Sequence, residues 1–479
     1  MGGRVKTYDA VVVGSGPNGL AAALVLAKAG HSVKVIEGQP TFGGGARSMA
    51  LTQPGFVHDV CSAIHPLAAG SPFFATLPLE KYGVRFIHSE FPFVNPLPGD
   101  DAAVLERSVE ATAARLRSDE KAYLRVMKPL VDGFDDLKAL IFNPLTKPPL
   151  QAPLLAARFG VAALESVVDF VENEFQDPRT KALLGGCAAH SFSPLTTPLT
   201  NAFGLILAIT GHAVGWPFIE GGSQKLVDAL VAMIRDAGGE LEAGHAISSL
   251  DELPPHRLVL FDTHAHVMTK VCGEALPASY RRRIDQGFVR GPGVFKVDYA
   301  LDAPMPWLSK DAHRTSCLHV CGGIEALTES EAAPAKGELA ERPFVLVAQH
   351  SSFDATRAPE GKHTLWAYCH VPNGSTVDMT SRIEAQLERF APGFQRHVLA
   401  RHAKTTADFE RTNASYLGGD ISGGAVEGLQ VFFRPTIGLP YGTPNERILL
   451  CSSSAPPGPG VHGMGGYWAA TEALSRLRR

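Results

Sequence analysis

Three glycines within six residues, Gly14, Gly16 and Gly19, spell G-x-G-x-x-G, with Ser15, Pro17 and Asn18 between them. Glycines at this spacing can cradle a pyrophosphate. Gly14 permits the tight turn, Gly16 lets a phosphate approach the backbone, and Gly19 lets the next helix pack on the strand. Glu37 stands about 20 residues further on, where an acid accepts ribose hydroxyls, and Gly38 follows it. No arginine stands beside Glu37, which favours a free 2′-hydroxyl and hence FAD or NAD over NADP. A second set of residues could move protons: His58, Asp59, His65, His350, His370 and His462. His462 and His65 are the catalytic candidates, because each adjoins a glycine-rich stretch. Cys317, His319 and Cys321 would share one face of a strand, but the usual zinc spacings and a fourth ligand are missing, so no metal is expected. There is no G-x-S-x-G elbow for a serine hydrolase.

The glycine turn needs a strand before it and a helix after it. Tyr8–Val13 is short and apolar, with Val11, Val12 and Val13 in a row, as a buried parallel strand should be. Leu20–Ala29 is rich in Ala and Leu and reads as a helix stopped by Gly30. Val33–Ile36 reads as the next strand, with Glu37 at its end.

A chain of 479 residues exceeds one compact core and suggests two or three domains. Hydrophobic residues make up 45%, charged residues 19%, and the net charge is −4, so no basic field recruits nucleic acid. Seven scattered cysteines make no disulfide framework and point to a reducing compartment. No apolar stretch suits a secretory signal near Met1, and no apolar run reaches the ~18 residues that a membrane span requires.

Further along, Ser108–Leu140 has a helical pattern. Residues 142–164 are apolar and broken by prolines. A buried helix with a proline-rich lead-in is the preferred reading over a tunnel mouth or a membrane-resting segment. Leu183–His190 and Asn201–Val214 read as apolar helices, Ser223–Ala237 as an amphipathic one, and Leu241–Leu250 and Leu258–Asp262 as strands. Arg281–Arg283 reads as a solvated helix face. Residues 295–307, 344–354 and 363–372 alternate like strands of one sheet, and 325–342 reads as a surface connection. Ser381–Phe390 is an amphipathic helix. Trp366, Tyr368 and Tyr299 read as core aromatics that could also line a pocket. Near the C-terminal end, Ile448–Cys451 reads as a strand, a glycine-crowded turn follows, and Tyr467–Leu477 is a helix.

After Glu37 the chain carries Gly43, Gly44 and Gly45, then Arg47, then Pro54-Gly55-Phe56 and Asp59. This stretch resembles the second FAD fingerprint of the phytoene desaturase-like oxidoreductases, including the pyridine nucleotide-disulphide oxidoreductase domain 2 type proteins. Gly45 stands where the plainest form of that fingerprint has an arginine, and Arg47 is displaced by two. The late turn, with Gly458, Gly460, Val461, His462, Gly463 and Met464, resembles the closing FAD motif of the same family. The triplet Ser452-Ser453-Ser454 replaces the small glycine pair usual before it. The resemblance implies that Gly44, Gly45, Arg47, Ser453, Gly460, Val461, His462, Gly463 and Met464 lie at the flavin cofactor, and that the strand near Ala246 and Ile247 meets its adenine. It also implies an α/β fold, a Rossmann-type FAD-binding domain with a discontinuous mixed-sheet-plus-helices substrate domain. The expected division is 1–90, 218–290 and 430–479 for FAD, and 91–217 with 291–429 for substrate under a helical cap.

The expected activity is FAD-dependent desaturation or saturation of carbon–carbon bonds in an apolar, polyene- or lipid-like small molecule. The electron acceptor and oligomeric state are left open, and no C-x4-C redox pair or second nucleotide fingerprint is present. A redox-neutral FAD-dependent isomerase or hydratase, an amine-oxidase-like flavoenzyme, and a flavin-bound interaction protein remain as alternatives. The expected location is cytoplasmic, with peripheral membrane contact left open.

Overall fold

Val11, Val12 and Val13 are buried in the central strand, Tyr8–Val13, of a five-stranded parallel sheet. A computed structural model describes residues 6–144 and 152–479. In this sheet the strands run in the order Ile448–Leu450, His256–Phe261, Tyr8–Val13, Val33–Glu37 and Glu240–Ala243. Every pairing is parallel. Both faces are covered, which is why Tyr8–Val13 is almost continuously apolar rather than alternating.

The first helix, Pro17–Lys28, starts three residues before Leu20 because Pro17 at its first position loses no needed N–H and has a preset φ. It packs between Gln224–Asp236 and Met464–Leu477. The approach to the last helix is so close that a Cβ on Gly466 would lie 1.8 Å from the Asn18 carbonyl oxygen. Parts of the chain hundreds of residues apart thus close around the glycine turn.

A second, seven-stranded mixed sheet runs Val398–Lys404, Gly293–Leu301, His363–Val371, Val345–Ala348, Cys317–Val320, Phe93–Pro96 and Ala102–Leu105. Its neighbours are antiparallel except for Cys317–Val320 against Phe93–Pro96. The three alternating stretches read as strands of one sheet are all here, shorter than their patterns. Helices Glu120–Asp132, Phe134–Phe142, Pro153–Ala163, Val167–Glu174, Pro178–Ala188 and Thr200–Ala213 pack together beside it.

Four expectations need correction. The strand expected over Leu241–Leu250 is only Glu240–Ala243: Gly244 turns the chain with φ +80°, so Ile247 sits on a loop. The stretch 325–342 is no simple surface connection, since Ile324–Ala335 is a helix with Ser330 and Glu331 buried. Glu331 is held by His370, a partner 39 residues away that local polarity does not reveal. The helix Pro153–Ala163 is not buried as preferred. Only Phe159 and Ala163 are enclosed, whereas Leu154 is 86% and Val161 70% exposed. The lead-in at 145–151 lies outside the described residues. The last helix begins at Met464 rather than Tyr467, because Gly463 takes a left-handed conformation as its N-cap. Arg282 and Arg283 are exposed on the helix Ala278–Gly287, as expected, whereas Arg281 beside the inward Tyr280 is half-buried with its Nε enclosed. Tyr299 is a core residue, packed edge-on to Phe394.

Candidate active site

One cavity of about 780 Å³ runs between the two sheets. Gly14, Gly16, Pro17, Asn18, Glu37, Gly38, Gly44, Gly45, Arg47, Ile247, Ser453, Gly460, Val461, His462 and His65 all line it. Of the other expected cofactor residues, Gly19 supports the turn from behind, while Gly463 and Met464 start the helix beneath the late glycine turn.

The dinucleotide end is built from backbone. Gly14 adopts φ +98°, and a side chain there would lie 2.6 Å from the carbonyl oxygen of Asp262. The Ser15 N–H and hydroxyl both donate to Glu37 Oε2, at 3.0 and 2.5 Å, and the Gln39 N–H donates to Oε1 at 2.8 Å. Glu37 is therefore fixed at the end of its strand, with lone pairs left for ribose hydroxyls. Ser15 Oγ accepts the Gly43 N–H at 3.1 Å and so ties the first glycine turn to the second.

The structure explains the departure at Gly45. A Cβ at this position would sit 2.0 Å from the Tyr416 hydroxyl, so a residue from a distant loop fills the space of a side chain. Arg47, two places on, is buried rather than solvated. Its Nε donates to the Gly44 carbonyl and its Nη2 to that of Thr412, both at 2.8 Å. It braces the second glycine turn against the end of the helix Thr406–Thr412.

Asp59, from the same motif, lies beneath the cavity. Its carboxylate accepts from Arg357 Nη2 at 3.0 Å, Ser48 Oγ at 2.6 Å and the Ser223 N–H at 2.8 Å. Burial opposes the charge, but the Arg357 guanidinium together with His350 and the hydrogen bonds from Ser48 and Ser223 outweighs it and holds the carboxyl well below the usual range. This is a structural ion pair. His350 donates Nε2–H to the Ala63 carbonyl at 2.9 Å next to it, and His58 bonds Thr52 at 2.8 Å. His370 pairs with Glu331 at 2.5 Å. None of His58, Asp59, His350 and His370 lines the cavity.

His65 and His462 do, but both are engaged. Ser223 Oγ donates to the Ser62 carbonyl, so it accepts the His65 Nε2–H at 2.8 Å. His462 Nδ1 accepts the Met464 N–H at 3.0 Å, which leaves Nε2–H to face the Gly458 carbonyl at 3.3 Å. Burial lowers both imidazoles to about 4, so both are neutral at pH 7. His462 thus pins the late glycine turn.

Sequence reasoning missed Asp262. It ends the strand His256–Phe261 and turns its carboxylate into the glycine turn, where Oδ2 accepts the Gly19 N–H at 2.8 Å. An acid following a buried strand that pairs with Tyr8–Val13 was the available signal. Among the described residues, the ionisable side chains on the cavity other than histidine, tyrosine and cysteine are Glu37, Arg47, Asp262 and Arg434. Much of the remaining wall is apolar and aromatic, with Phe159, Leu207, Trp216, Leu346, Trp366 and Tyr368. Cys317 also faces the cavity, whereas His319 and Cys321 do not, and no group of three or more metal-ligating side chains is found among the described residues.

A positive helix end, glycine turns that a side chain would obstruct and an anchored acid fit the diphosphate and ribose of FAD. Fold and site together define an oxidoreductase of the FAD type. The family model described as an NAD(P)-binding Rossmann-like domain matches residues 12–76. The chain is 26% identical to pyridine nucleotide-disulfide oxidoreductase domain-containing protein 2 of Mus musculus, over 99% of this chain and 95% of that one. It is 24% identical to a lycopene-forming phytoene desaturase of Pseudescherichia vulneris, over 97% of this chain and 98% of that one. In fold it is similar to a putrescine oxidase solved with putrescine bound, with a TM-score of 0.62 at 18% identity, covering 99% of this chain and 100% of that one. Among the described residues no helix is long and apolar enough to cross a membrane.

Proposed function

We propose that the protein uses FAD to desaturate or saturate a carbon–carbon bond in an apolar, polyene- or lipid-like molecule. The observation that carries this reading is the union, in one cavity, of a dinucleotide cradle with an apolar and aromatic wall. Both carboxylates on the cavity, Glu37 and Asp262, belong to the glycine turn. A hydrocarbon chain gains roughly 0.8 kcal/mol for each buried CH₂ on such a wall, while a cationic amine would meet no carboxylate along it.

Bound FAD supplies the hydride acceptor or donor. The chain's part is to bind, orient and exclude water. The turns at Gly14–Gly19, Gly43–Gly45 and Gly458–Gly463 bring backbone to the cofactor, and His462 fixes the last of them. Phe159, Trp216 and Trp366 keep the reacting carbon dry. A proton leaves to water or to His65, whose Nδ1 has only Ser62 Oγ at 3.5 Å. Residues 1–90, 218–290 and 430–479 make the FAD part in this reading. The exposed apolar residues Leu154 and Val161 lie on a helix whose Phe159 lines the cavity, which supports peripheral contact with a membrane that delivers substrate.

An amine-oxidase-like activity is the second reading, favoured by the shared fold with putrescine oxidase. Single turnover under anaerobic conditions separates the two. The proposed activity yields an apolar product changed by two hydrogens and leaves putrescine untouched. Oxidation of putrescine with peroxide release in air would replace it, and isomerised product with no electron acceptor consumed would select a redox-neutral enzyme.

A further inference from the structure

His190 lines the cavity just beyond the helix Pro178–Ala188, and it stands at the end of a buried chain of hydrogen bonds. Asn95 Nδ2 donates to the Ala182 carbonyl at 2.7 Å, so Asn95 presents Oδ1 to His319 Nδ1 at 3.0 Å. An amide oxygen only accepts, so His319 carries its proton on Nδ1 and has a bare Nε2. His319 Nε2 lies 3.0 Å from His190 Nε2, and the proton between them therefore belongs to His190. A neutral His190 then has Nδ1 as a lone-pair acceptor, and no described group donates to it. Burial lowers both rings, His190 to about 3 and His319 well below its ordinary value, so the order of protons holds across the neutral range. The His190 ring is kept in place by Trp216, set edge-on at 5.5 Å. On the same cavity Trp366 keeps an indole N–H with no acceptor among the described residues. A largely apolar stretch of wall thus holds an unmet acceptor in His190 Nδ1.

We infer that the cavity selects a substrate bearing a hydroxyl group, and that His190 reads it by accepting the hydroxyl proton at Nδ1. The inference rests on the apolar-substrate reading above and narrows it to an alcohol. His319 and Asn95 are positioning residues, since they set which nitrogen of His190 is bare. An apolar ligand without a donor would leave His190 Nδ1 buried and unpaired, which costs affinity.

The test is calorimetric titration of the FAD-loaded protein with 1-dodecanol, its methyl ether and dodecane. The ether keeps the oxygen as an acceptor but has no proton to donate. In the native protein the alcohol should bind roughly tenfold more tightly than the ether, as one hydrogen bond to a buried acceptor allows. In His190→Leu that preference should fall to within about twofold, while dodecane binds at least as well as before. Equal binding of alcohol and ether to the native protein would overturn the role of His190 alone, and that comparison needs no variant. A preference that survives in a folded His190→Leu would overturn it too. Failure of all three probes to bind would instead overturn the apolar-substrate reading beneath it.

Discussion

The backbone N–H of Gly19 donates to Asp262 Oδ2 at 2.8 Å, which places a half-buried carboxylate inside the turn that must receive a diphosphate. Burial, reinforced by the neighbouring Glu37, pushes the Asp262 carboxyl up to about 7. A diphosphate disfavours the anion further. FAD should therefore bind most tightly with Asp262 protonated and weaken as pH rises above 7, by up to about tenfold per pH unit. Fluorescence titration of the apoprotein between pH 5.5 and 9 measures this, and Asp262→Asn should flatten the profile.

The same group affects stability. Its folded value lies above the 3.8 of a free aspartate, so folding takes up a proton between about pH 4 and 7. The stability that it contributes is complete below that window and lost as pH rises through it, on the order of 4 kcal/mol. Urea unfolding of the native apoprotein and Asp262→Asn at pH 5 and pH 8 should show the difference between them change in this direction.

Gly45 and Tyr416 should be energetically coupled. A Cβ at Gly45 meets the Tyr416 hydroxyl oxygen at 2.0 Å and its ring carbon only at 3.3 Å. Gly45→Ala should cost about 1–3 kcal/mol and reduce FAD occupancy, and adding Tyr416→Phe should recover part of both. A double-mutant cycle on unfolding midpoints reads the coupling.

Arg357 is fully buried and its Nη2 donates to Asp59 at 3.0 Å. Asp59→Asn should leave Arg357 with the Asp354 carboxylate alone, 3.3 Å from its Nε, and cost up to about 3 kcal/mol in urea unfolding. Replacing both partners with apolar residues of similar volume should cost less than Asp59→Asn alone.

His462 spends both ring nitrogens on its own loop. His462→Ala should lower FAD retention several-fold, as expected when a buried hydrogen-bonding loop loses its pin. Turnover per bound flavin should keep its pH profile, because no proton passes through this residue. Rate against pH, normalised to flavin content, decides it.

The glycine turn, Glu37, the strand Tyr8–Val13 and the late turn before Met464 were legible because each is a local pattern with local physics. The features that were hidden depend on distant partners. Gly45 makes sense only beside Tyr416, Asp59 only beside Arg357, and the bare nitrogen of His190 only through His319 and Asn95. Asp262 reads only as the last residue of a strand until parallel pairing with Tyr8–Val13 puts it over Gly16 and Gly19. The helix Pro153–Ala163 misled for a related reason: apolar composition suggested burial, but its Leu154 and Val161 have no covering neighbour among the described residues.

On the proposed reading, one cavity unites bound FAD with an apolar substrate. The visible absorbance spectrum of the purified protein, followed anaerobically during addition of polyene and long-chain alcohol candidates, tests it most directly. Flavin bands are expected, in the protein as isolated or after added FAD, and they should bleach stoichiometrically with one such substrate and not with putrescine. A protein that neither carries nor binds FAD, or whose flavin is reduced by putrescine alone, would contradict it.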